Sequence, residues 1–429
     1  MTDVSLETGA PIDVAIIGGG PAGLAAATAL KAADVARVVV LEREHQAGGI
    51  PRHCGHPPFG MREFRRVLKG PEYARRLVAR ARKAGVEIHT LTTVTGILPG
   101  GVLTVSTPDV STRITPRRVI YATGVRETPR SARLISGARV QGVVNTGALQ
   151  SMVYLTDQRP VQRPVLRPFL RPVIVGSELV AFSALMTCRH AGIRPVAMIE
   201  QGPTATARWP SALLPRLQSV ALLTNTRLLE IMGTGVVQGV TVAGPDDQPR
   251  RIDCDGVIVT GQFTPEAALA RCGHLKIDPA TGGPLVDQWG RCSDPSYFAT
   301  GNLLRAVETA GQSWGEGRQT GQWVAQDLAG SLPRLSSPLS VVVRDPRLKY
   351  AMPQRIGLPE ADAEAGMEKI QLRVTQHVSG TLVARARGNT IWRQAINTRP
   401  ERRIAVPIAE IVLHAGVGSV EFVIEGSEN

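Results

Sequence analysis

A glycine-rich loop near the start of the chain, Gly18 to Gly23, constrains the fold more than any other feature. The loop has the complete pattern G-x-G-x-x-G, which is informative only between a strand and a helix. It follows an apolar, β-branched stretch, Asp13 to Ile17, and precedes an alanine-rich helix that we predict to end near Ala32. A second predicted strand, Ala36 to Leu41, comes next. This order predicts a right-handed βαβ unit of the dinucleotide-binding type.

Each position of the loop has a physical role in holding a diphosphate. Gly18 permits the tight turn, Gly20 lets the backbone approach the pyrophosphate, and Gly23 allows close packing of helix on strand. The helix start supplies N–H donors and partial positive charge. Glu42, nineteen residues after Gly23, stands where a carboxylate accepts from ribose hydroxyls; the alternative is a glycine turn without a ligand. The predicted phosphate-binding residues are Gly18, Gly20, Pro21, Ala22 and Gly23.

A second βαβ unit is predicted in the middle of the chain. A strand from Pro172 to Val175 leads to a turn at Gly176 and a helix from about Leu179 to Ala191. A further strand, Pro195 to Ile199, ends beside Glu200. Two such units in one chain predict an α/β protein with two nucleotide-binding-like domains.

The second loop departs from the glycine pattern, because it reads Val175-Gly176-Ser177-Glu178-Leu179-Val180-Ala181. Leu179 and Ala181 add side chains where a pyrophosphate needs close backbone, and Glu178 brings negative charge near its oxygens. Two hypotheses remain open: a second nucleotide, NAD(P) or ATP, binds here, or Glu200 is a solvated strand end. The residues assigned to that second site are Gly176, Ser177 and Glu200.

The patterns predict four segments in a chain of 429 residues, which is long enough for two or three hydrophobic cores. Arginine followed by proline recurs every fourth residue over 159–172, which predicts an extended connection, either a stiff linker or a docking arm. Short alternating strands from about Lys369 predict a small all-β module at the end of the chain. The predicted segments are 1–135, the first part of the first nucleotide-binding domain; 136–250, the second such domain; 251–335, the second part of the first domain; and 336–429, the β module.

Composition excludes several classes of function. The net charge of +13 is scattered rather than clustered, and no aromatic-interleaved basic patch accompanies it, so we expect no nucleic-acid binding. The sequence has no apolar run long enough for a membrane span and no secretory signal, which makes the cytoplasm the expected location. Its five cysteines stand singly, without a C-x-x-C pair, which argues against disulfides, a zinc site and a local iron–sulfur cluster.

Several further short motifs accompany the glycine loop between about Asp13 and Gly330. They are Gly48-Gly49-Ile50 with Cys54, His56 and Phe59-Gly60; Gly70-Pro71-Glu72-Tyr73-Ala74; Ala122-Thr123-Gly124 with Arg126-Glu127; Asp278-Pro279-Ala280-Thr281-Gly282-Gly283-Pro284; and Ala299-Thr300-Gly301-Asn302. With these motifs the chain resembles the pyridine nucleotide-disulfide oxidoreductase superfamily. Within that superfamily it is most similar to the FAD-dependent, alpha-type subunits of heteromeric dehydrogenases: opine oxidase, hydrogen cyanide synthase, dye-linked proline or hydroxyproline dehydrogenase, and flavoproteins associated with glycerol-3-phosphate dehydrogenase.

The resemblance implies a glutathione-reductase-like fold, with two Rossmann-like domains and FAD bound by the first and third segments. In the superfamily a glycine–acid pair holds the flavin ribitol, but here Asn302 replaces the acid and carries no charge. The helix that follows Glu308-Thr309-Ala310-Gly311 would point its N-terminus at the flavin and favour the anionic reduced form. Besides the glycine loop and Glu42, the residues expected to contact FAD are Arg43, Gly49, Ala122, Thr123, Gly124, Gly301, Asn302 and Thr309.

Cys54 and His56 are the candidate catalytic residues. Disulfide reductases of the superfamily have a cysteine pair in this region, whereas this chain reads Arg52-His53-Cys54-Gly55-His56, which excludes dithiol chemistry. One interpretation is that Cys54 acts as a nucleophile beside the flavin and that His53 or His56 moves protons. The other is that Cys54 packs in a turn and the histidines make structural hydrogen bonds. No metal site is expected.

The sequence thus predicts an FAD-dependent oxidoreductase that relays electrons as one subunit of a heteromeric dehydrogenase. A partner subunit with its own flavin would oxidise a small amine, imino acid or hydroxy acid. An FMN would be present only through a partner subunit. An iron–sulfur cluster would likewise belong to a partner, such as a small iron–sulfur subunit, because no cysteine follows Cys292. Two alternatives remain open: a self-sufficient NAD(P)H-dependent FAD oxidoreductase, and a non-catalytic nucleotide-binding scaffold subunit.

Overall fold

The computed structural model describes residues 11–155, 168–207, 213–335, 338–357, 366–415 and 418–426. Residues 159–167 of the predicted extended connection lie outside these ranges. In chain order, the strands are β1 (Val14–Ile17), β2 (Val38–Leu41), β3 (Glu87–His89), β4 (Thr93–Ile97), β5 (Leu103–Ser106), β6 (Ser111–Ile114), β7 (Arg118–Tyr121), β8 (Val125–Glu127), β9 (Ser136–Gly137), β10 (Val143–Asn145), β11 (Pro172–Val175), β12 (Ala197–Ile199), β13 (Ala221–Leu223), β14 (Arg227–Thr234), β15 (Val236–Ala243), β16 (Pro249–Ile252), β17 (Gly256–Val259), β18 (Phe263–Pro265), β19 (Tyr297–Ala299), β20 (Leu339–Val343), β21 (Leu348–Met352), β22 (Arg355–Ile356), β23 (Lys369–Val374), β24 (Val378–Ala386), β25 (Asn389–Thr398), β26 (Ile404–Pro407) and β27 (Ser419–Glu425). The α-helices are α1 (Pro21–Ala32), α2 (Met61–Phe64), α3 (Gly70–Lys83), α4 (Thr146–Tyr154), α5 (Leu179–His190), α6 (Leu214–Leu217), α7 (Ala268–Cys272), α8 (Ala310–Leu328) and α9 (Ile408–Ala415).

Contacts divide the chain into two compact units. The first comprises residues 1–49, 74–125 and 265–429, and the second comprises residues 50–73 and 126–264. The first unit therefore contains both the glycine loop and the C-terminal module. Each unit is built around its own parallel sheet.

The parallel sheet of the first unit has the strand order β19-β7-β1-β2-β3. β1 and β2 consist of aliphatic residues, all of them buried. A strand whose two faces are both covered needs apolar side chains at every position rather than at alternate ones. Because β2 lies on one side of β1 and β7 on the other, the chain changes direction across the sheet beside the glycine loop.

Helices α1 and α8 pack against each other at very short range in the first unit. A Cβ atom added at Gly317 would overlap the carbonyl of Ala22, and one at Gly321 would overlap the carbonyl of Ala26. Small residues on both helices permit this approach. The packing places Gly317, about two turns into α8, beside the start of α1, and the two helices run in the same direction.

The second unit contains a parallel sheet of order β10-β17-β11-β12-β13 and a second sheet of order β16-β15-β14-β9. Helices α4 and α5 bury apolar residues in the core beside the parallel sheet. The predicted strand, turn, helix and strand from Pro172 to Ile199 appear as β11, α5 and β12. The second βαβ unit is thus present.

The C-terminal module is rich in strands, with one sheet of order β22-β20-β27-β24-β25 and another of order β21-β23-β26. A hairpin joins β24 and β25 through Arg387 and Gly388, whose positive φ angles of 51° and 80° fit a two-residue turn. The module also contains a helix, α9, which the strand pattern did not predict. Ile408, Ile411 and Ala415 lie on one face of α9 and are buried in the core of the module.

No helix of the described residues is both long enough and apolar enough to cross a bilayer.

Candidate functional site

The glycine loop of the first unit forms a tight turn against the end of β7. Gly18 has a φ of 105°, and a Cβ atom there would lie 2.6 Å from the carbonyl oxygen of Ala122. Gly23 is equally restricted, because its Cβ atom would overlap the carbonyl oxygen of Gly18. These two glycines are needed for the path of the backbone and for the packing of α1 on β1.

Gly20 differs from its neighbours because space is free beside it. A Cβ atom at Gly20 would meet only the Cα atom of Gly49, at 4.0 Å. α1 begins at the next residue, Pro21, and its first N–H groups have no partner within the helix. An open space in front of free N–H donors and a positive helix end fits a diphosphate.

Glu42 is buried at the end of β2, and its carboxylate is fixed by the backbone. Oε2 accepts from the N–H of Gly19 at 2.9 Å, and Oε1 accepts from the N–H of Glu44 at 2.9 Å. Each oxygen keeps further acceptor capacity, which ribose hydroxyls can use. Arg43 beside it is exposed.

The loop that follows β2 lies against the glycine loop. Gly48 donates its N–H to the carbonyl oxygen of Gly19 at 2.7 Å. Gly49 has a φ of 62°, and a Cβ atom there would lie 2.9 Å from the Cα atom of Gly20. Gly49 therefore contributes to the wall of the space beside Gly20.

The opposite side of the space is formed by the ends of β7 and β19. Gly124 has a φ of 75° with open space where a side chain would be, and Thr123 donates its hydroxyl to the carbonyl of Glu266 at 2.8 Å. Gly301 has a φ of 69°, and a Cβ atom there would lie 2.8 Å from the Cβ atom of Ala22. Both positions favour glycine because of their positive φ, and the contact with Ala22 places the Gly301 turn at the start of α1.

Asn302 and Thr309 shape the backbone that leads into α8. The Asn302 side chain donates to the carbonyl of Glu308 at 3.0 Å and accepts from its N–H at 2.7 Å. Thr309 caps α8, because its hydroxyl accepts from the N–H of Gln312 at 3.3 Å. Asn302 therefore has a definite structural role, and one N–H and one lone pair of its amide remain for the ribitol contact that we predict.

The strand order fixes the direction of a dinucleotide across this site. Ligands of open α/β sheets bind beyond the carboxyl ends of the strands, where the strand order reverses. With a diphosphate beside Gly20 and a ribose at Glu42, the adenosine half would lie over β2. The other half would extend toward β7 and β19, which end near Gly124 and Gly301. The first unit therefore provides a cradle that fits an adenine dinucleotide.

The second unit repeats the ribose-binding arrangement but fills the space for the diphosphate. Glu200 accepts from the N–H of Gly202 at 2.7 Å and from the hydroxyl of Ser177, just as Glu42 accepts from Glu44 and Gly19. Glu178 stands at the position equivalent to Gly20. Its φ and ψ of −75° and 172° nearly equal the −80° and −176° of Gly20.

The Glu178 carboxylate lies over the second glycine turn. Its Oε1 is 2.5 Å from the hydroxyl oxygen of Thr260, and a Cβ atom at Gly176 would lie 2.6 Å from its Oε2. A carboxylate thus occupies the place where the first loop leaves room for phosphate. This geometry disfavours a second dinucleotide at Gly176, Ser177 and Glu200.

Cys54 and His56 belong to one buried hydrogen-bond chain in the second unit. The Cys54 thiol donates to Gln150 Oε1 at 3.5 Å, and Gln150 Nε2 donates to Ser183 Oγ at 2.6 Å. Ser183 Oγ lies 2.5 Å from His56 Nε2, and His56 Nδ1 lies 2.9 Å from the carbonyl oxygen of Pro57. Since a carbonyl only accepts, Nδ1 carries the proton and Nε2 accepts from Ser183.

The surroundings of this hydrogen-bond chain keep both the Cys54 thiol and the His56 imidazole neutral. Burial, with a smaller effect from the charge of Glu127, raises the pKa of the Cys54 thiol to about 12. Burial also lowers the pKa of His56. A protonated thiol is a poor nucleophile, and both nitrogens of His56 are already engaged. The geometry supports the structural interpretation of these residues over the catalytic one.

We expect Cys54 to resist alkylation. At pH 8, about one Cys54 thiol in 10⁴ is ionised if its pKa is about 12. Cys272 is exposed and serves as the internal control. Peptide mass spectrometry after treatment with iodoacetamide should show Cys272 modified about 100-fold faster or more. Equal rates would restore Cys54 as a candidate nucleophile.

Neither metal nor disulfide chemistry has a visible site in the described part of the chain. All five cysteines are free, and no group of three or more histidine, cysteine, aspartate or glutamate residues is placed to hold a metal ion.

An ionic cluster beside α8, buried except for Arg403, was missed by sequence reasoning. It comprises Arg305, Glu308, Glu316, Arg373 and Arg403, from two distant parts of the chain. Arg305 and Arg373 are almost completely buried, which is rare for arginine. No local pattern indicates such a cluster, because its members meet only in the folded protein.

Solved structures with the same fold include three oxidoreductases. Thioredoxin reductase from T. acidophilum matches with a TM-score of 0.61 and 21% identity, over 74% of this chain and 98% of that one. L-proline dehydrogenase from P. horikoshii matches with a TM-score of 0.54 and 18% identity, over 74% and 56% of the two chains. NAD-dependent persulfide reductase from A. fulgidus matches with a TM-score of 0.55 and 18% identity, over 89% and 70%.

A search of curated proteins finds no match. The family model described as pyridine nucleotide-disulphide oxidoreductase matches residues 12–317. That range contains the glycine loop, Glu42, the Ala122-Thr123-Gly124 turn, the Gly301-Asn302 turn and the start of α8. Because the match covers more than half of the chain, this protein belongs to the pyridine nucleotide-disulphide oxidoreductase family, whose membership implies FAD as the dinucleotide.

Proposed function

We propose that this protein is an FAD-dependent oxidoreductase that relays electrons as one subunit of a heteromeric dehydrogenase. A partner with its own flavin would oxidise a small amine, imino acid or hydroxy acid, and this chain would pass the electrons onward. The observation that carries the proposal is the contrast between the two loops: Gly20 leaves room for a diphosphate, whereas Glu178 fills the equivalent space.

The contrast matters because a flavoenzyme needs a source of electrons. In a self-sufficient reductase the second domain supplies them by binding NAD(P)H next to the flavin. Here a nicotinamide dinucleotide would have to displace the Glu178 carboxylate or place its phosphates against it, and both cost free energy. A source outside this chain, such as a partner subunit, is then required.

The thiols of the chain support the same proposal. A redox-active dithiol needs two cysteines close together, and Cys54 has no second cysteine in its segment. Its thiol is also buried and donates to Gln150. The electrons of the flavin therefore leave for an acceptor other than a dithiol of this chain.

The residues of the first unit would divide the work of holding FAD. The N–H groups at the start of α1 bind the diphosphate, and Glu42 binds the adenosine ribose. Asn302 orients the ribitol through the part of its amide that Glu308 leaves free, and the start of α8 supplies positive potential at the flavin end. FAD, when bound, supplies the electron-accepting group.

We expect the isolated, FAD-loaded chain to be reduced very slowly by NADH or NADPH. At NADH concentrations far below saturation, stopped-flow absorbance of the visible flavin band should give rates about 10³-fold below those of the E178G variant, since losing a diphosphate contact of about 4 kcal/mol weakens NADH binding by that factor. Reduction by dithionite is the positive control. Full substrate turnover by the isolated polypeptide would overturn the proposal.

A second candidate function is a self-sufficient NAD(P)H oxidoreductase. The arrangement of Glu200, Ser177 and Gly202 favours it, because this arrangement repeats the geometry of a ribose site. Rapid bleaching of the flavin by NADH in the unmodified chain would establish it. The variant E178G is the matched comparison, since it gives the second loop the glycine that the first loop has at Gly20. If NADH bleaches the flavin only in E178G, the Glu178 carboxylate is what blocks nicotinamide binding.

A further inference from the structure

The C-terminal module places charged side chains at the entrance to α8. Glu308 immediately precedes the capping residue Thr309, and its side chain is 7% exposed. Arg373 on β23 donates to Glu308 Oε1 at 2.7 Å and to the carbonyl of Val307 at 2.8 Å. Arg403, just before β26, pairs with the other Glu308 oxygen. Two arginines of the module thus hold one carboxylate beside the helix start.

Arg305 and Glu316 complete the group. We use the name Glu308 cluster for Arg305, Glu308, Glu316, Arg373 and Arg403. Arg305 is fully buried and binds both oxygens of Glu316 on α8. It also donates to Gln371 of β23 at 3.0 Å, and it lies 3.8 Å from Glu308. The module therefore contacts both Arg305 and Glu308, the two charged residues of the short segment that joins Gly301 to α8.

The cluster brings several charges together, most of them on buried side chains. Its three arginines face Glu308 and Glu316, and a third carboxylate, that of Glu401, lies 3.9 Å from Arg373 at the exposed edge. Burial alone would raise the pKa of Glu308, but Arg305, Arg373 and Arg403 outweigh it and lower that pKa below its usual value. The Nε atoms of Arg305 and Arg373 are buried without a hydrogen-bond partner among the described residues. Arginines and glutamates are equal in number here, so removal of any one of them changes the net charge beside α8 by one unit.

The strand order places these charges on the flavin side of the site. In the proposed FAD site the adenosine half would lie over β2, and the flavin half would extend toward β19 and the start of α8. Asn302, which bonds to the backbone of Glu308, connects the cluster directly to the Gly301 turn. Charges at this place act on the electron-accepting end of the cofactor.

We propose that the C-terminal module sets the reduction potential of the flavin, with Arg373 and Arg403 acting as positioning residues that balance Glu308 beside the start of α8. This inference rests on the FAD site of the proposed function, and it gives the module a role within that function. Two-electron reduction adds negative charge to the flavin, so removing a positive charge nearby destabilises the reduced form and removing a negative charge stabilises it. Loss of either arginine leaves Glu308 less compensated and should lower the potential.

The test is the midpoint potential of the FAD-loaded chain, measured by equilibrium reduction against reference dyes. We expect R373M to lower the preference for reduced over oxidised FAD about tenfold, or about 30 mV for a two-electron couple. R403M should lower it by less, because Arg403 is 35% exposed. E308Q should raise it. R373K, which keeps the charge, should restore most of the unmodified value.

The arginine variants should lower the midpoint potential, whereas E308Q should raise it. This difference in sign distinguishes an electrostatic effect from loss of structure, because a loosened fold would not raise the potential in E308Q. R385M is the matched control, since Arg385 lies in the same module but pairs with the exposed Glu425. It should leave the potential unchanged. If R373M does not fold, the midpoint potentials of R403M and E308Q still test the inference.

The failure of this inference can be told apart from failure of the proposed function. A chain that takes up no FAD would contradict the proposed function. A chain that holds FAD but shows equal potentials in R403M, E308Q and the unmodified protein would overturn this inference alone.

Discussion

Replacing Gly20 by glutamate should abolish FAD binding while the protein stays folded. Gly20 has ordinary backbone angles, and a Cβ atom there meets only Gly49 at 4.0 Å, so the new side chain fits without strain. Its carboxylate would occupy the space in front of α1, as Glu178 does before α5. We expect the dissociation constant for FAD to rise about 10³-fold or more, equivalent to about 4 kcal/mol.

Titration calorimetry of the FAD-free protein measures this constant, and circular dichroism checks the fold. G20A is the matched control, because it adds a methyl group without charge and should weaken binding much less. A G23A variant should instead destabilise the protein itself, since its Cβ atom would overlap Gly18. Unchanged FAD affinity in G20E would show that the diphosphate does not lie over the first loop.

Replacing Arg305 by methionine should destabilise the first unit by about 3–5 kcal/mol, the usual cost of leaving a buried carboxylate without its partner. Arg305 is fully buried and binds Glu316 through both terminal guanidinium nitrogens. It also donates to the carbonyl oxygen of Gly301 and to the side-chain oxygen of Gln371. Urea unfolding of the FAD-free protein, followed by circular dichroism, gives the free energy of unfolding.

The control for this prediction is R344M. Arg344 pairs with Glu421, but its side chain is 74% exposed, so the loss should be within about 1 kcal/mol. The double variant R305M/E316Q should recover part of the lost stability, because it removes the uncompensated carboxylate. Equal stability of R305M and the unmodified chain would mean that the buried charges are balanced in some other way.

The features that sequence predicted are those that depend on neighbouring residues. The first loop, its flanking strand and helix, and Glu42 are read directly from a local pattern, and the family match over residues 12–317 confirms the fold that this pattern indicates. The departure at Glu178 was also visible, because the missing glycines are local. The roles of individual site residues stay predictions until a bound cofactor is observed.

Long-range contacts explain what sequence did not predict. The hydrogen-bond chain from Cys54 to His56 passes through Gln150 and Ser183, which are about a hundred residues away in sequence. Helix α9 was missed because its eight residues stand between short strands and its apolar spacing is easily read as a strand. The Glu308 cluster joins residues whose contacts are set only by the packing of β23 and β26 against the segment before α8.

The close packing of α8 on α1 has a consequence for how the protein matures on the ribosome. The glycine loop emerges early, but its flavin-side wall consists of β19 and α8, which are synthesised after the whole second unit. During translation, the first βαβ unit must wait with part of its apolar surface uncovered. Cofactor loading is therefore a late event that follows the return of the polypeptide to its starting domain.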